Sequence, residues 1–430
     1  MPSSQPPLLR IAIIGGGPGG LGSAIALSSL DNVEVTIYEQ AKELREIGAG
    51  IRIGFNCWTV LGLLGAAEGV KGHVKTQVLH RNGLTGEILK ANPPPKGPLE
   101  FWPQRVRRTR LQSALKAKVP EGTIKLQKRL SSLEDLGSDG VRLNFEDGTE
   151  TIADLVVGGD GIRSVVREAV FPDHSIKFTG TTIFRVLIPV SSISHTPDLT
   201  VATSWWHGPT GHFYGSLVDD PSETSPEEQK FEIAARKVVD PTTDLGKKFS
   251  WGVPATKERV ESFFTNFDPR VREALSKVPE GDWKEFSAFA GPRLEKLTGW
   301  DNKIVLIGDA SHPLSGAFGS GAAFALEDGW ILARAIEHTR TSRTNNLGAA
   351  LDIFDTIRSP YYLRMYEYLD QQKAKIVEGK AVNPGQTFED SLKARINSFG
   401  GEEQLSWIYG NNIEGVWKEF LDNENINGGK

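Results

Sequence analysis

Short apolar segments separated by glycine-rich turns dominate the start of the chain. Residues 8–14 form an apolar run that stops at Gly15-Gly16-Gly17, residues 21–30 carry small and apolar side chains at helical spacing, and residues 33–38 form a second apolar run. Short apolar runs next to glycine indicate buried strands, and the longer periodic segment indicates a helix. The pattern therefore predicts a strand, a glycine turn, a helix and a second strand.

Alternation with period two becomes the main pattern in the middle of the chain. A helix is predicted at 110–118, and strands are predicted at 123–127, 141–145, 150–157, 178–190 and 248–253, with the aromatic-rich stretch 204–218 as part of the same mostly antiparallel sheet. The strands beyond residue 170 are rich in β-branched and aromatic residues, which is typical of antiparallel strands that bury one face.

The last third of the sequence predicts a buried strand at 303–307, a long helix at 321–339 and helices within 347–375. The polar composition after Pro384 predicts a peripheral segment.

These elements predict an α/β fold in which a Rossmann-like nucleotide-binding domain is interrupted by an inserted, mostly antiparallel β-sheet substrate domain and is followed by C-terminal helices. A chain of 430 residues is longer than one hydrophobic core usually supports. The nucleotide-binding domain is predicted to comprise residues 8–80 and 104–175, and the chain returns to it, with further helices, over 298–380. The substrate domain is predicted to comprise an excursion and loop at 81–103 and the β-sheet at 176–297. Residues 381–430 are predicted to form a C-terminal helical extension.

Composition narrows the possible functions. The formal net charge of −5 argues against nucleic acid as a partner, because phosphate binding needs clustered lysine and arginine. The single cysteine, Cys57, excludes an intramolecular disulfide and cysteine-based metal sites, and no metal is expected. No signal peptide and no run of about eighteen apolar residues is visible, so we expect a cytoplasmic protein without a membrane span. Either a monomer or a homodimer is compatible with the sequence.

The glycine turn has the spacing of a dinucleotide-binding motif. Gly15 permits the tight turn, Gly17 lets the backbone approach a pyrophosphate, and Gly20 allows the helix to pack closely on the strand. The helix N-terminus adds amide donors and the positive end of the helix dipole. Glu39 closes the second strand, about twenty residues on, where an acidic residue accepts hydrogen bonds from a ribose.

Two later segments repeat the arrangement of a strand followed by glycine and an acid. Residues 154–167 run from a strand into Gly158-Gly-Asp160-Gly161 and then into a helix. Residues 306–313 run from a buried strand into Gly308-Asp309 and then His312-Pro313. Asp309 could accept a hydrogen bond from a polyol hydroxyl, and the helix that begins near Gly319 offers further free amides.

Together these three segments resemble the FAD-dependent aromatic hydroxylases, which are single-component flavoprotein monooxygenases, and residues 46–51 and 108–111 resemble the salicylate hydroxylase branch. The resemblance covers about residues 10–334. It implies FAD as the cofactor and NAD(P)H as a co-substrate. The residues that it implies around FAD are Gly15, Gly17, Gly20, Glu39, Arg108, Asp160, Asp309, Gly319, Gly321 and Ala322.

The family chemistry is the hydroxylation of a small aromatic or heteroaromatic substrate with O₂, through a flavin C4a-hydroperoxide. Candidate catalytic residues lie in the predicted sheet. Arg185 interrupts an apolar strand and either binds substrate or flavin or faces solvent, and the family often has an arginine at this point. His212 and Tyr214 alternate along one strand and are predicted to share a face. His212 is either a base or donor or a structural histidine, and the orientation of Arg52 is open.

The sequence departs from the family pattern beside the predicted flavin site. Gly316 stands where many relatives have a second proline, and Ser320 stands where they have a glutamine. These departures indicate a bulkier or less acidic substrate than salicylate, such as a phenol of secondary metabolism or an indole. Two alternatives to hydroxylation therefore stay open, namely a flavin-dependent epoxidase of an indole or other complex ring, and a flavin-binding sensor that has lost oxygenation.

Overall fold

The structure is a computed structural model that describes residues 7–44, 49–242, 250–341, 346–382, 385, 387–398 and 405–428. Glu46 of the salicylate hydroxylase-like motif and Lys248, at the start of a predicted strand, lie outside these residues.

The strands follow one another along the chain with these bounds: β1 Leu9–Ile14, β2 Val33–Tyr38, β3 Gly50–Ile53, β4 His73–Val74, β5 Val78–Asn82, β6 Ile88–Asn92, β7 Gln104–Arg107, β8 Ile124–Lys125, β9 Leu130–Asp135, β10 Val141–Phe145, β11 Glu150–Ala153, β12 Leu155–Gly158, β13 Lys177–Pro189, β14 Thr203–His207, β15 Gly211–Leu217, β16 Lys230–Val238, β17 Trp251–Pro254, β18 Lys284–Ala290, β19 Thr298–Gly299 and β20 Ile304–Leu306.

The helices have these bounds: α1 Pro18–Leu27, α2 Phe55–Leu63, α3 Arg108–Lys116, α4 Val165–Val170, α5 Lys257–Ser262, α6 Pro269–Ser276, α7 Gly321–Thr341, α8 Leu347–Val382, α9 Phe388–Ser398, α10 Ser406–Tyr409 and α11 Ile413–Gly428. The prediction of several helices within 347–375 was wrong, because α8 is one helix that runs through Pro360. Proline removes one backbone hydrogen bond, which favours a break, but α8 continues where it packs along α7.

A six-stranded sheet forms the nucleotide-binding half, with the strand order β19-β20-β12-β1-β2-β8. The four central strands β20, β12, β1 and β2 are parallel. Their carboxyl ends therefore lie along one edge, which brings together the turns that follow them. Helices α1 and α7 pack against each other, and Gly19 and Gly22 of α1 face Ala325 and Leu326. The fold is the predicted Rossmann-like α/β arrangement.

One strand prediction was wrong in its extent. Residues 150–157 form two strands, because β11 pairs with β10 in a separate three-stranded sheet and β12 pairs with β1. The chain changes sheets at Asp154, whose carboxylate accepts hydrogen bonds from the backbone N and the guanidinium of Arg10. Ala153 and Asp154 have low β-propensity, but the β-branched and apolar residues on both sides led to the prediction of one strand.

The inserted sheet has eight strands in the order β17-β18-β13-β16-β15-β14-β5-β6. All of its pairs are antiparallel except β14 with β5. One face packs against α5 and α6 through large apolar side chains, among them Phe184, Trp206 and Phe213. The alternate residues of the same strands point to the opposite face, which is turned toward β3 and β7.

The C-terminal segment is not peripheral, which corrects the prediction for the residues after Pro384. Ile408 and Ile413 are fully buried and Leu405 nearly so, and all three belong to the core of the nucleotide-binding half. The apolar residues of this segment are spaced too widely to stand out against its polar background. Within the described residues, no helix is long and apolar enough to cross a membrane, and no cluster of three or more His, Cys, Asp or Glu could hold a metal ion.

Candidate active site

The first turn has the geometry that a dinucleotide requires. Gly15 adopts a φ of 104°, and a Cβ there would collide with the carbonyl of Gly159. A Cβ at Gly20 would collide with the carbonyl of Gly15, so the helix can approach the strand only without a side chain. By contrast, a Cβ at Gly17 would meet no heavy atom within 4 Å. Gly17 caps α1 without a side-chain hydrogen bond, so the first amides of α1 face open space suited to a pyrophosphate.

Glu39 follows β2 at the same edge of the sheet. Its Oε2 accepts a hydrogen bond of 2.7 Å from the backbone N of Gly16, and its Oε1 accepts one of 2.8 Å from the backbone N of Ala41. These bonds fix the carboxylate beside the glycine turn. Each carboxylate oxygen keeps a further lone pair, so the group can still accept a ribose hydroxyl.

Asp160 follows β12 and caps helix α4. Its Oδ2 accepts hydrogen bonds from the backbone N of Val165 at 2.7 Å and of Val166 at 3.2 Å, and Ser164 donates to its Oδ1. Burial raises the pKa of this carboxyl despite these hydrogen bonds. The structure thus gives Asp160 a local role at the start of α4, and its contact with a cofactor stays a prediction.

Arg167 of α4 ties the second turn to the third. Its guanidinium donates to the backbone carbonyls of Ala310 at 3.0 Å and Asp309 at 3.2 Å, and to Ile162 at 2.6 Å. A guanidinium that satisfies three carbonyls holds the turns after β12 and β20 in one arrangement. Arg167, which follows the turn at Asp160-Gly161 in sequence, therefore positions the turn at Gly308-Asp309.

The third turn places Asp309 next to the start of α7. A Cβ at Gly321 would lie 3.6 Å from Oδ1 of Asp309. Gly308 leaves no room for a side chain, because a Cβ there would lie 2.8 Å from the Cβ of Ala325. Gly319 has open space at its Cβ position, and Gly321 and Ala322 begin the helix, so their amides have no acceptor within α7. The predicted residues Asp309, Gly319, Gly321 and Ala322 thus surround a helix N-terminus suited to an electron-rich group.

The predicted catalytic residues lie on the face of the eight-stranded sheet opposite α5 and α6. Strand register forms one row across this face, which contains Arg185, Ala234, Tyr214, Trp205 and His80. The adjacent row contains Ile183, Arg236, His212 and His207. The predicted common face of His212 and Tyr214 is present in the structure, and Arg185 shares it. Ala234 is the small residue between Arg185 and Tyr214.

Two arginines on this face form no ion pair with a carboxylate among the described residues, although the charge of Glu232 acts to raise the pKa of each. The Nε of Arg185 and the Nε of Arg236 are both buried, and neither has a hydrogen-bond acceptor. Arg185 lies 5.7 Å from the ring centroid of Phe286, and Arg236 lies 4.8 Å from that of Trp205. Burial lowers the pKa of each guanidinium to about 10, so both stay charged at neutral pH. Their charge is therefore available to an anion.

A buried ion pair joins this face to the small sheet of β3 and β7. Glu232 accepts hydrogen bonds from Nε and Nη2 of Arg105 at 2.5 and 2.8 Å, and from the backbone N of Gly50 at 3.0 Å. Arg105 lies 5.1 Å from the ring centroid of Tyr214. Arg108 begins α3 beside this pair, and its backbone N donates a hydrogen bond to the carbonyl of Ala49. The positive charge of Arg108 helps to lower the pKa of Arg185.

Sequence reasoning missed Arg236 and Glu232, which lie two and six residues before the end of β16 at Val238. Glu232, Ala234 and Arg236 alternate with Phe231, Ile233 and Ala235, so a period-two reading of this segment would have found both charged residues on one face. Aromatic residues add to this face as well. His80 donates to or accepts from His207 at 3.1 Å, and the rings of Trp205 and Tyr214 lie 4.7 Å apart.

A fully buried polar network supports the turn after β20. Asp328 of α7 accepts hydrogen bonds from the backbone N of Gly308, from Arg358 and from Tyr362. Its neighbour Glu327 accepts from Nη2 of Arg358 at 3.1 Å and from Nδ2 of Asn411 at 2.9 Å. Burial raises the pKa of Glu327 from 4.5 to about 7, and the nearby charge of Asp328 adds to this rise.

This network predicts a pH dependence of stability. Because the folded-state pKa of Glu327 is raised, the folded protein binds more protons than the unfolded chain between about pH 4.5 and 7, so the free energy of unfolding falls as pH rises through this window. We expect the free energy of unfolding of the wild-type protein to fall by on the order of 1–3 kcal/mol between pH 5 and 7.5 because of Glu327. Glu327→Gln should remove this decrease, as measured by urea unfolding. Glu337→Gln, on the same helix but half exposed, is the control and should leave the fall in place. An unchanged pH profile in Glu327→Gln would contradict the assignment.

Comparison with known proteins agrees with this geometry. A family model described as FAD binding domain matches residues 9–362. The 6-hydroxynicotinate 3-monooxygenase of Bordetella bronchiseptica is 30% identical over 339 residues, which cover 77% of this chain and 83% of that protein. A salicylate hydroxylase of Pseudomonas putida is 27% identical and covers 98% of this chain and 94% of its own.

A solved structure has the same fold. The substrate complex of a salicylate hydroxylase superposes with a TM-score of 0.75 at 21% identity, and the match covers 96% of this chain and 98% of that chain. The similarities in sequence and fold confirm the resemblance that the three motifs indicated, and they confirm FAD as the cofactor.

Proposed function

Since the chain belongs to the FAD-binding-domain family that contains flavin-dependent aromatic monooxygenases, we propose that it uses NAD(P)H and O₂ to hydroxylate an aromatic substrate through a flavin C4a-hydroperoxide. Bound FAD supplies the oxygen-transfer chemistry, and the chain binds, orients and shields the reactants. The proposal is supported by the four turns at the ends of β20, β12, β1 and β2, which lie along one edge of the sheet.

The residues proposed to hold FAD are those around these turns. Gly15, Gly17 and Gly20 with the first amides of α1 would bind the pyrophosphate, and Glu39 would bind a ribose. The others are Arg108, Asp160, Asp309, Gly319, Gly321 and Ala322. Their fit rests on the open space at Gly17, the fixed carboxylate of Glu39 and the unsatisfied first turn of α7.

We place the substrate over Ala234, between Arg185 and Arg236. Two partly buried guanidiniums, each with a buried Nε that has no acceptor, favour a substrate with a negatively charged group, such as the carboxylate of a hydroxylated aromatic acid. A neutral indole would leave both buried Nε donors without an acceptor, which is unfavourable. The arginines therefore favour an aromatic acid over the less acidic substrate that Gly316 and Ser320 indicated.

Two side chains beside this place have roles that suit ring hydroxylation. Burial raises the pKa of Tyr214, so its hydroxyl stays protonated and can donate a hydrogen bond to the substrate. His212 of β15 pairs with Arg236 of β16. It can accept a proton from a hydroxyl group of the substrate, and this deprotonation makes the substrate ring more electron-rich. The side chains of Trp205 and Phe286 would shield the substrate site from water, and this shielding would suppress the release of hydrogen peroxide without product formation.

A panel of substrates tests the proposal. NAD(P)H consumption is measured with hydroxybenzoates, hydroxynicotinates, their neutral carboxamides and indoles, while released hydrogen peroxide is measured in parallel. We expect at least one aromatic acid to accelerate NAD(P)H consumption with little hydrogen peroxide. Activity confined to neutral indoles would favour the epoxidase, and the absence of any stimulated consumption would favour the flavin-binding sensor.

A further inference from the structure

The C-terminal segment reaches the start of α7 through Tyr409. The hydroxyl of Tyr409 donates a hydrogen bond of 3.1 Å to the carbonyl of Phe318, in the glycine-rich turn before the helix. The buried side chains of Leu405 and Ile408 anchor this segment, and Asn411 anchors it through its hydrogen bond to Glu327. Tyr409 is therefore a fixed part of the site at which α7 begins.

The ring of Tyr409 holds the guanidinium of Arg52. The Cζ of Arg52 lies 4.1 Å from the ring centroid, and Nη1 donates a hydrogen bond of 3.2 Å to Oγ of Ser320. Ser320 is almost fully buried and directly precedes Gly321, the first residue of α7. Arg52, Ser320 and Tyr409 are called the Arg52 cluster below. The cluster places a cation at the N-terminus of a 21-residue helix.

This placement puts two positive electrostatic sources together. The N-terminus of a helix carries roughly half a positive charge, so a guanidinium there is unfavourable unless an anion compensates for both. Within the part of the chain that the structure describes, no carboxylate forms an ion pair with Arg52. The contact with Tyr409 and the hydrogen bond to Ser320 fix the guanidinium without neutralising it. An anionic group supplied by a ligand would complete the cluster.

Two departures from the family pattern meet in this cluster. Ser320 stands where many relatives have a glutamine, and its short side chain leaves space for the guanidinium of Arg52. The segment that contains Tyr409 lies beyond the region covered by the sequence resemblance and beyond the match to the family model, which ends at residue 362. The resemblance therefore gave no reason to expect a contact between Arg52, Ser320 and Tyr409.

We propose that Arg52 compensates the negative charge that accumulates on the pyrimidine end of the flavin when FAD is reduced, and that Tyr409 is the residue that positions Arg52. This inference rests on the proposed binding of FAD by Gly319, Gly321 and Ala322, and it places the pyrimidine end of the flavin at the first turn of α7. A fixed cation there stabilises reduced FAD more than oxidised FAD, so it raises the reduction potential of the bound cofactor. Tyr409 acts through Arg52 and through the turn at Phe318.

The test is the midpoint potential of FAD bound to the full chain, measured by equilibrium reduction with dithionite against redox dyes. Arg52→Met should lower the potential by about 30 mV or more, which corresponds to a tenfold loss in the affinity for reduced FAD relative to oxidised FAD in a two-electron couple. Tyr409→Leu should give a smaller shift in the same direction, and Tyr409→Phe, which keeps the ring, should stay closer to the wild-type protein. Arg52→Lys keeps the charge and should recover part of the shift.

Trp407→Leu is the matched control. Trp407 lies in the same short helix as Tyr409 and holds a different cation, because the Cζ of Arg364 lies 4.2 Å from its ring centroid. Its replacement removes a similar contact without touching Arg52, so the potential should not change. The proposal is overturned if Arg52→Met and Arg52→Lys both bind FAD at the wild-type potential, or if Trp407→Leu shifts the potential as much as Tyr409→Leu.

The outcome does not depend on the proposed reaction. Dithionite reduces bound FAD without NAD(P)H or an aromatic substrate, so the potentials can be compared even if the protein transfers no oxygen. Conversely, an unchanged potential in an active enzyme would overturn the role of Arg52 and leave the monooxygenase assignment intact. A loss of affinity for the aromatic acid in Arg52→Met, at an unchanged potential, would assign Arg52 to the substrate and would also overturn the proposal.

Discussion

We expect the replacement of Gly17 by valine to weaken FAD binding strongly and to leave the folded protein intact. A Cβ at this position meets no other protein atom within 4 Å, and the residue has an extended backbone with φ −73°, which any amino acid adopts. The added side chain therefore occupies only the space that the pyrophosphate needs in front of α1. We expect FAD affinity to fall on the order of 100-fold or more, equivalent to about 2.7 kcal/mol, in a titration followed by flavin fluorescence.

Gly62→Ala provides the matched control for this variant. Gly62 lies in α2 and also has no atom within 4 Å of its Cβ position, but it is remote from the strand ends. Both variants should unfold at temperatures close to that of the wild-type apoprotein, and only Gly17→Val should lose FAD. Normal FAD affinity in Gly17→Val would show that the cofactor lies elsewhere, and unfolding of the apoprotein would show that the space is not open.

Replacing both arginines of the inserted sheet should remove the affinity for aromatic acids. A hydrogen bond to a charged group contributes about 1.5–3 kcal/mol, so Arg185→Met and Arg236→Met should each weaken binding of the acid by roughly 10- to 150-fold. Because both arginines would bind the same carboxylate, the two losses need not multiply, but the double variant should lose at least as much affinity as either single variant. Binding is measured from the perturbation of the flavin absorbance by the acid, without turnover.

The carboxamide analogue of the acid separates this effect from a change in the shape of the pocket. Because the amide is neutral, its affinity should change little in the same variants. Equal losses for acid and amide would mean that the arginines shape the pocket and do not bind the anion. Retention of full affinity for the acid in the double variant would contradict the proposed substrate class.

Local patterns were sufficient for the nucleotide-binding half of the fold. The apolar run before Gly15, the turn itself and Glu39 after the next strand are separated by fewer than thirty residues. Each feature therefore follows from short-range spacing, and the parallel sheet follows from the strand–helix–strand order. The turns at Asp160 and Asp309 could be placed beside it because the carboxyl ends of parallel strands share one edge.

The parts that the sequence did not reveal depend on contacts between distant residues. The pairing of Arg105 with Glu232 joins residues 127 positions apart, and the contact of Arg52 with Tyr409 joins the first lobe to the last helices. No local period encodes such pairs. The change of sheets at Asp154 was missed for the same reason. The salt bridge that accompanies it comes from Arg10, which lies far earlier in the sequence.

Incorporation of ¹⁸O from labelled O₂ into the product tests the central claim most directly. The holoprotein is incubated with NAD(P)H, ¹⁸O₂ and the aromatic acid that gives the best coupling, and the product is examined by mass spectrometry. The proposed function predicts a hydroxylated acid that contains one ¹⁸O atom for each NAD(P)H consumed. Consumption of NAD(P)H that yields only labelled hydrogen peroxide, or a product that carries oxygen from water, would contradict it.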